Sequence, residues 1–412
     1  MSARAGHLGA RRAGGGAARQ QSLRQHNLGL TLRRVVDAPT PLSRADIAGA
    51  TGLTRATVSA LVDRLIALGL VAELEPVVAG RAGRPAVPLV PARGTVAALG
   101  MEVNVDYLGV RALDLAGEVV SERIEAGDFR ASDPTEVLDR LARLAGTVVA
   151  RLSADGVALV GGCLALPGLV DSVTGPLRLA PNLGWRDVDV VGLLAAHPVL
   201  GGLPPRLANE ADLAARAEAH ARRLTGPASF VYVSGEVGVG GAIVLDGAIF
   251  GGRRGWGGEI GHVVLGTDGS FDQGGTLEDY AGQDAILTRA GLPRSTPVTA
   301  LLAAVEAEEP RARAALHVAG RALGAALANV VNVVDVEHVV LGGTYATLAE
   351  HLRAEVTGQL RRRVISAPWA EVELSTALAG QYPAMTGGAL AVLEALVDDP
   401  AGWAGDEPVE VR

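Results

Sequence analysis

Lysine is missing from this chain: all 37 of its basic residues are arginine. Together with heavy use of alanine and glycine, that absence reads as the coding bias of a GC-rich genome and excludes no mechanism. Cysteine is nearly missing too. The single thiol, Cys163, excludes an intrachain disulfide and a multi-cysteine zinc site. Its place in the apolar run Val160 to Leu166 marks a buried structural residue. No uninterrupted run of about 18 apolar residues occurs, so no segment is expected to span a membrane. The first 20 residues lack the apolar stretch of a secretory signal and read as a flexible basic tail, so a cytoplasmic protein is expected.

What is present suggests more than one domain. The chain has 412 residues, 49% of them hydrophobic, and a formal net charge of −8. That length suffices for two or three domains with sizeable cores. The charge is unevenly placed. Residues 1–95 hold 13 arginines against 5 acids, whereas residues 96–412 hold 24 arginines against 40 acids. A basic head on an acidic body is the electrostatic footprint of a nucleic-acid module joined to something else.

The head carries two helix starts. Ser43 is followed three residues later by Asp46, with Leu42 and Ile47 placed as a hydrophobic staple. Thr54 begins a second helix, with Leu53 and Val58 as its staple, and Ala50-Thr51-Gly52-Leu53 supplies the tight turn between them. Val58, Leu61, Val62, Leu65 and Ile66 form a buried stripe at helical spacing, leaving Arg55, Thr57, Ser59 and Arg64 for the other faces. An ordinary helical hairpin has the same signals, but this basic, hydroxyl-bearing helix start suits a major groove. Val71 to Leu74 and Val87 to Val90 read as two strands around a loop bearing Arg81 and Arg84, the form of a wing that can reach phosphates or a minor groove. Thr54, Arg55, Thr57, Ser59, Arg81 and Arg84 are the expected contacts to double-stranded DNA. The basic tail would add non-specific contacts.

From residue 96 the pattern alternates. Val96–Val103, Tyr107–Leu113 and Glu118–Ser121 read as three strands, followed by a helix from about Pro134 to Leu152 and an apolar strand from Gly156 to Leu166. Phe230–Val233 and Gly241–Val244 flank a glycine-rich turn, and a long helix near 311–333 leads into the strand His338–Leu341. Strands and helices in this order predict a mixed α/β body of two lobes. A sugar presents hydroxyls that both donate and accept, so a sugar site needs carboxylates and amides. Asn182, Asn209, Glu210, Glu259, His262 and Glu278 supply that inventory.

The runs Gly235 to Val244, Gly257-Gly258-Glu259-Ile260-Gly261-His262 and Leu277-Glu278 resemble the ROK family of repressors, open reading frames and sugar kinases. Leu179 to Trp185 and Val340-Leu341-Gly342-Gly343 fit the same pattern, over roughly residues 22–398. The resemblance implies a winged helix-turn-helix followed by a two-lobed, actin-like and ribonuclease-H-like sugar-kinase fold. It places Asn182, Asn209, Glu259, His262 and Glu278 at sugar hydroxyls. The expected division is a tail at 1–20, the winged head at 21–93, a smaller lobe at 94–207 plus 384–398, a larger lobe at 208–383 and a tail at 399–412.

Three departures from the family kinases argue against catalysis. Gly100 to Tyr107 lacks the adjacent glycines and threonine of the first phosphate loop, and side chains there obstruct backbone approach to phosphate. Glu210 stands where kinases place an aspartate base, and its extra methylene displaces the carboxylate. Glu236-Val237 replaces the Gly-Thr of the second phosphate loop, setting a carboxylate against a triphosphate. The family's zinc cysteines correspond to Gly269, Phe271 and Thr276, so no zinc and no other cofactor is expected. The reading is a nucleoid-associated, sugar-responsive DNA-binding regulator, a repressor acting as a homodimer or homotetramer and not an enzyme. An active sugar kinase with a DNA-binding head, and a sugar-independent regulator controlled by a protein partner, are the other readings.

Overall fold

The computed structural model describes residues 13–76, 86–266 and 275–403. In the head, Ser43 and Asp46 form a reciprocal capping box at the helix Arg44–Thr51, and Thr54 caps the helix Arg55–Ala67 by accepting from the Thr57 N–H. Both caps satisfy donors that a helix start leaves open. Gly52, at φ 72°, ends the first of these helices in the left-handed conformation that favours glycine. Val58, Val62 and Leu65 are buried in one cluster with Leu28, Leu32 and Ile47, while Leu61 and Ile66 are half-buried at its edge. Arg44 staples the head together, pairing with Asp63 at 2.7 Å and with Glu73.

The strands Val71–Glu73 and Leu89–Pro91 pair antiparallel, with Glu73 opposite Leu89. The return strand starts two residues later than the expected Val87. Pro88 has no N–H for a ladder, and only its carbonyl takes part, accepting from the Leu74 N–H at 2.9 Å. The wing tip with Arg81 and Arg84 lies outside the described residues.

One expectation is overturned at the start of the head. The lead helix runs Ala13–Val36, so it begins inside the stretch read as a flexible tail. Gly14, Gly15 and Gly16 suggest a break, yet a helix nucleated by packing at Leu28, Leu32 and Val35 extends at one hydrogen bond per added residue. At the other end, the expected tail opens with a short helix, Pro400–Trp403, whose Pro400 is buried.

The body contains two five-stranded sheets with one shared topology. In the first, Val96–Val103, Tyr107–Asp114 and Val119–Ala126 form an antiparallel meander, and Ala158–Leu166 then Arg206–Asn209 add in parallel on the other side of Val96–Val103. In the second, Phe230–Gly235, Val239–Leu245 and Ala248–Ile249 form the meander, and His338–Gly342 then Glu373–Thr376 add in parallel. The strand Arg206–Asn209 straddles the expected lobe boundary at 207. The helix Pro310–Val334 has the length and apolarity of a membrane span, but it is a core helix of the second lobe, with Leu316, Leu323 and Leu327 buried in one cluster with Leu352 and Val356.

The helix Pro383–Asp398 returns the chain from the second lobe to the first. It packs on the strands Val96–Val103 and Ala158–Leu166 and along the helix Glu210–Arg222. At Gly387 a Cβ would collide with the Leu213 carbonyl, so only glycine permits this approach. The lead helix docks on its far end: a Cβ at Gly29 would lie 2.7 Å from the Asp398 carbonyl oxygen, and Arg33 pairs with the Asp398 carboxylate.

This contact makes a testable asymmetry between two helical glycines. Gly29→Val is expected to cost about 1–3 kcal/mol by forcing the helices apart. Gly49→Ala has nothing within 4 Å of its new methyl and should add about 0.5–1 kcal/mol. Urea unfolding of the two variants reads both signs, and an unchanged Gly29→Val midpoint would show that the lead helix is not seated on Pro383–Asp398.

Candidate functional site

Two surfaces carry chemistry. On the head, the helix Arg55–Ala67 exposes Arg55, Ala56, Ala60, Asp63 and Arg64, with Thr54 exposed at its cap and Thr57 and Ser59 half-buried. The Thr54 and Thr57 hydroxyls lie 2.9 Å apart, one donating to the other. Asp63 is neutralised by Arg44, whereas Arg55 and Arg64 make no ion pair among the described residues. Of the expected DNA contacts in the helix, Thr54 and Arg55 are more available than Thr57 and Ser59. Ala56 and Ala60 complete the exposed face. A search for hydrogen-bonding groups passes over them, although small apolar residues let a helix sit deep in a major groove and touch thymine methyls.

Between the lobes, Asn182, Asn209, Glu210, Glu259, His262 and Glu278 line a single cleft with Asn104, Glu236 and Val237. Each arrives from a short, strongly specified element. Asn182 sits in the turn Pro181–Leu183, and Glu278 in the first turn of Leu277–Ala281. Glu259 immediately precedes the turn Ile260–His262, and His262 is exposed at the rim. Gly238 brings Asn182 and Glu278 together: a Cβ there would lie 2.5 Å from Glu278 Oε2 and 3.3 Å from Asn182 Nδ2. Glu278 Oε2 also accepts from the Val239 N–H at 2.8 Å.

Asn209 has a structural task as well. Its Oδ1 accepts from the Ala211 and Asp212 N–H groups, capping Glu210–Arg222, and its Nδ2 donates to the Gly168 carbonyl at 2.9 Å. One amide hydrogen remains for a ligand. Thr276, one of the positions corresponding to a family zinc cysteine, donates its N–H and hydroxyl to Asp279 and so caps a helix. Gly269 and Phe271 lie outside the described residues.

A latch across the cleft escapes sequence reading. Asp171 in the first lobe is fully buried and accepts from Arg254 in the second at 2.9 Å, while also accepting from the Val173 and Thr174 N–H groups. The Ser172 N–H donates to the Arg254 carbonyl at 2.9 Å, and Trp256 Nε1 donates to the Val170 carbonyl at 3.1 Å. With the latch made, the cleft encloses about 80 Å³. Ligand pockets usually offer ~300 Å³ or more, so a sugar would require the walls to part.

The cleft is acidic. Burial raises the Glu210 carboxyl well above its ordinary range, and the charges of Glu236, Glu102 and Glu259 push it further. Burial likewise raises Glu236 against the pull of Asn104, whose amide donates to it at 2.7 Å. Glu259 is raised by burial and Glu278 but opposed by His262. Asp212 is pushed up to about 7 and Glu102 to about 8, again chiefly by burial. Carboxyls held this way favour partners that donate hydrogen bonds or carry positive charge.

A pH dependence follows. Glu102 holds its proton up to about pH 8 when folded, against 4.5 for a free side chain. Its contribution to stability is therefore complete below its unfolded value and lost as pH rises through the folded one. Melting temperatures measured from pH 5 to 9 should show Glu102→Gln gaining on the wild type as pH increases. Parallel curves would mean that Glu102 titrates like an exposed carboxylate.

Comparison with known proteins gives the lineage. Residues 99–395 match the ROK family and residues 30–82 the MarR family. The xylose repressor of Caldicellulosiruptor bescii is 28% identical over 348 residues, covering 80% of this chain and 85% of the repressor. The kanosamine kinase of Amycolatopsis mediterranei is 30% identical over 266 residues, covering 62% of this chain and 85% of the kinase. Among solved structures, a ROK family transcriptional regulator described as a homologue of the E. coli MLC protein superposes with a TM-score of 0.74 at 26% identity. That superposition covers 92% of this chain and 97% of the regulator. With the winged head in front and the family match running through both lobes, the chain belongs to the ROK family.

Proposed function

We propose that this protein is a transcriptional repressor whose hold on operator DNA is altered by a sugar in the inter-lobe cleft, and that it does not phosphorylate that sugar. The observation that carries the reading is a continuous path of packed elements. The helix Glu210–Arg222 begins at the cleft residues Asn209 and Glu210 and packs along Pro383–Asp398, on which the lead helix of the head is seated. A ligand shifts a two-state equilibrium only through unequal affinity for the two states. Here a sugar too large for the latched cleft would favour an open arrangement of the lobes, and the opening would be delivered to the head through Pro383–Asp398.

The charges argue against phosphoryl transfer. Glu236 and Glu102 stand where the kinases of the family would hold a triphosphate, and no cation among the described residues lines that space. The xylose repressor's name makes pentoses the first sugars to try. We further propose a homodimer or homotetramer on a pseudo-palindromic operator, with no zinc and a cytoplasmic, nucleoid-associated location.

Two measurements test the two ends. Arg55→Ala should weaken operator binding by about 1–3 kcal/mol at fixed salt while leaving the melting temperature unchanged. A thermal-shift screen of pentoses and hexoses should find a sugar that stabilises the wild type and not Glu259→Ala, while Glu259→Ala keeps its sugar-free DNA affinity. Equal shifts in both proteins would remove Glu259 from the site, and release of ADP on adding that sugar with ATP would restore the kinase reading.

A further inference from the structure

On the far side of Glu210 and Glu236 from the sugar-facing residues lies a second chamber of about 450 Å³. Its walls include three carboxylates, Glu102, Glu210 and Glu236, and three tyrosines, Tyr107, Tyr232 and Tyr382. Neither arginine nor histidine lines it among the described residues. Glu102 is only 2% exposed, and its Oε2 has no hydrogen-bond partner among them. The Asn104 amide is 3.5 Å from Glu102 Oε1 and is already committed to Glu236. Arg111, whose charge reaches Glu102, is engaged by Glu122, Thr386 and the Gln381 carbonyl.

The lining selects its occupant by exclusion. Phosphates and other anions would face three carboxyl groups and no cation in the chamber wall among the described residues. A bare metal ion needs several oxygens converging at ~2.0–2.6 Å, and the described residues hold no His, Cys, Asp and Glu group arranged for a metal. A neutral ligand would leave Glu102 Oε2 without a donor unless it offered a hydroxyl. An alkylammonium group carries three N–H donors and a positive charge, and it is attracted to the faces of tyrosine rings as well as to carboxylates. The volume exceeds what one ammonium head requires and suits a short aliphatic chain.

We propose that this chamber binds a small aliphatic primary diamine, as a second ligand separate from the sugar. Because Glu210 and Glu236 form the wall shared with the cleft, the diamine and the cleft ligand act on the same two carboxylates. The proposal goes beyond sugar sensing and stands whether or not a sugar is found.

Isothermal titration calorimetry of the full chain tests it, with putrescine as the probe, 1,4-butanediol as its uncharged counterpart and glucosamine as an ammonium carried on a sugar. Putrescine should bind, with proton release visible as a heat that changes with the buffer's ionisation enthalpy, and butanediol should not. Glu102→Gln and Glu236→Gln, each first shown to be folded by circular dichroism, should each weaken putrescine at least tenfold. Glu259→Ala, which removes a cleft group outside the chamber wall, should change putrescine affinity less than either glutamine variant does. No heat with putrescine, equal binding of butanediol, unchanged affinity in both glutamine variants, or binding of glucosamine but not putrescine would overturn the proposal.

Discussion

The helix Pro383–Asp398 is packed on the first sheet, on the helix leading away from the cleft and on the helix leading into the head. Its composition explains why it can serve all three. Ala384, Gly387, Gly388 and Ala389 bring its backbone close to its neighbours, and a single added methyl at Gly387 would strike the Leu213 carbonyl. Close-packed interiors of this kind yield little, so neighbours move with the helix or separate from it. The packing also ties chain ends together: residues near 390 complete the core of a lobe whose strands begin near 96. Strand pairing alone therefore leaves that lobe unfinished until the last third of the chain has folded.

Charge within the cleft follows from which buried carboxylates have partners. Asp171 and Glu102 are both removed from water, yet their environments oppose each other. Asp171 accepts from two backbone N–H groups and Arg254, and these donors hold its carboxyl well below the usual range despite burial. Glu102 is pushed up by burial and then by the charge of Glu236, and Tyr107, a distant Asn104 amide and Arg111 only partly oppose them. One acid thus remains an anion that fastens the lobes, while the other resists ionisation until a positive charge arrives.

Much of this was legible in the residues. Ser43, Asp46 and Thr54 encode their helices locally, because a cap and its donor are three residues apart. The short apolar runs in 96–114 and 230–245 mark strands because both faces of those strands are buried. The cleft residues were recognisable because Glu259 and His262 sit among glycines in a run with a family resemblance. What escaped depended on distance or on context. Asp171 and Arg254 are 83 residues apart and have no shared local signature. Glu102 and Tyr107 read only as a degraded phosphate loop, since nothing local reveals that they face Glu210 and Glu236. The lead helix was hidden by its glycine run, whose weak propensity is outweighed by packing further along. The repeat of one sheet topology in both lobes likewise lies in the pairing and not in the residues.

The latch between Asp171, Arg254, Val170 and Trp256 has a consequence for sensitivity. A ligand that can enter only after these contacts break meets a protein in which the receptive form is a minority. Its apparent dissociation constant is then the intrinsic one divided by the fraction already open. Strengthening the latch would raise the concentration at which the protein responds without altering a single group that touches the ligand. On the proposed function the set point would reside in this inter-lobe contact, and a molecule built this way would answer to plenty and ignore traces.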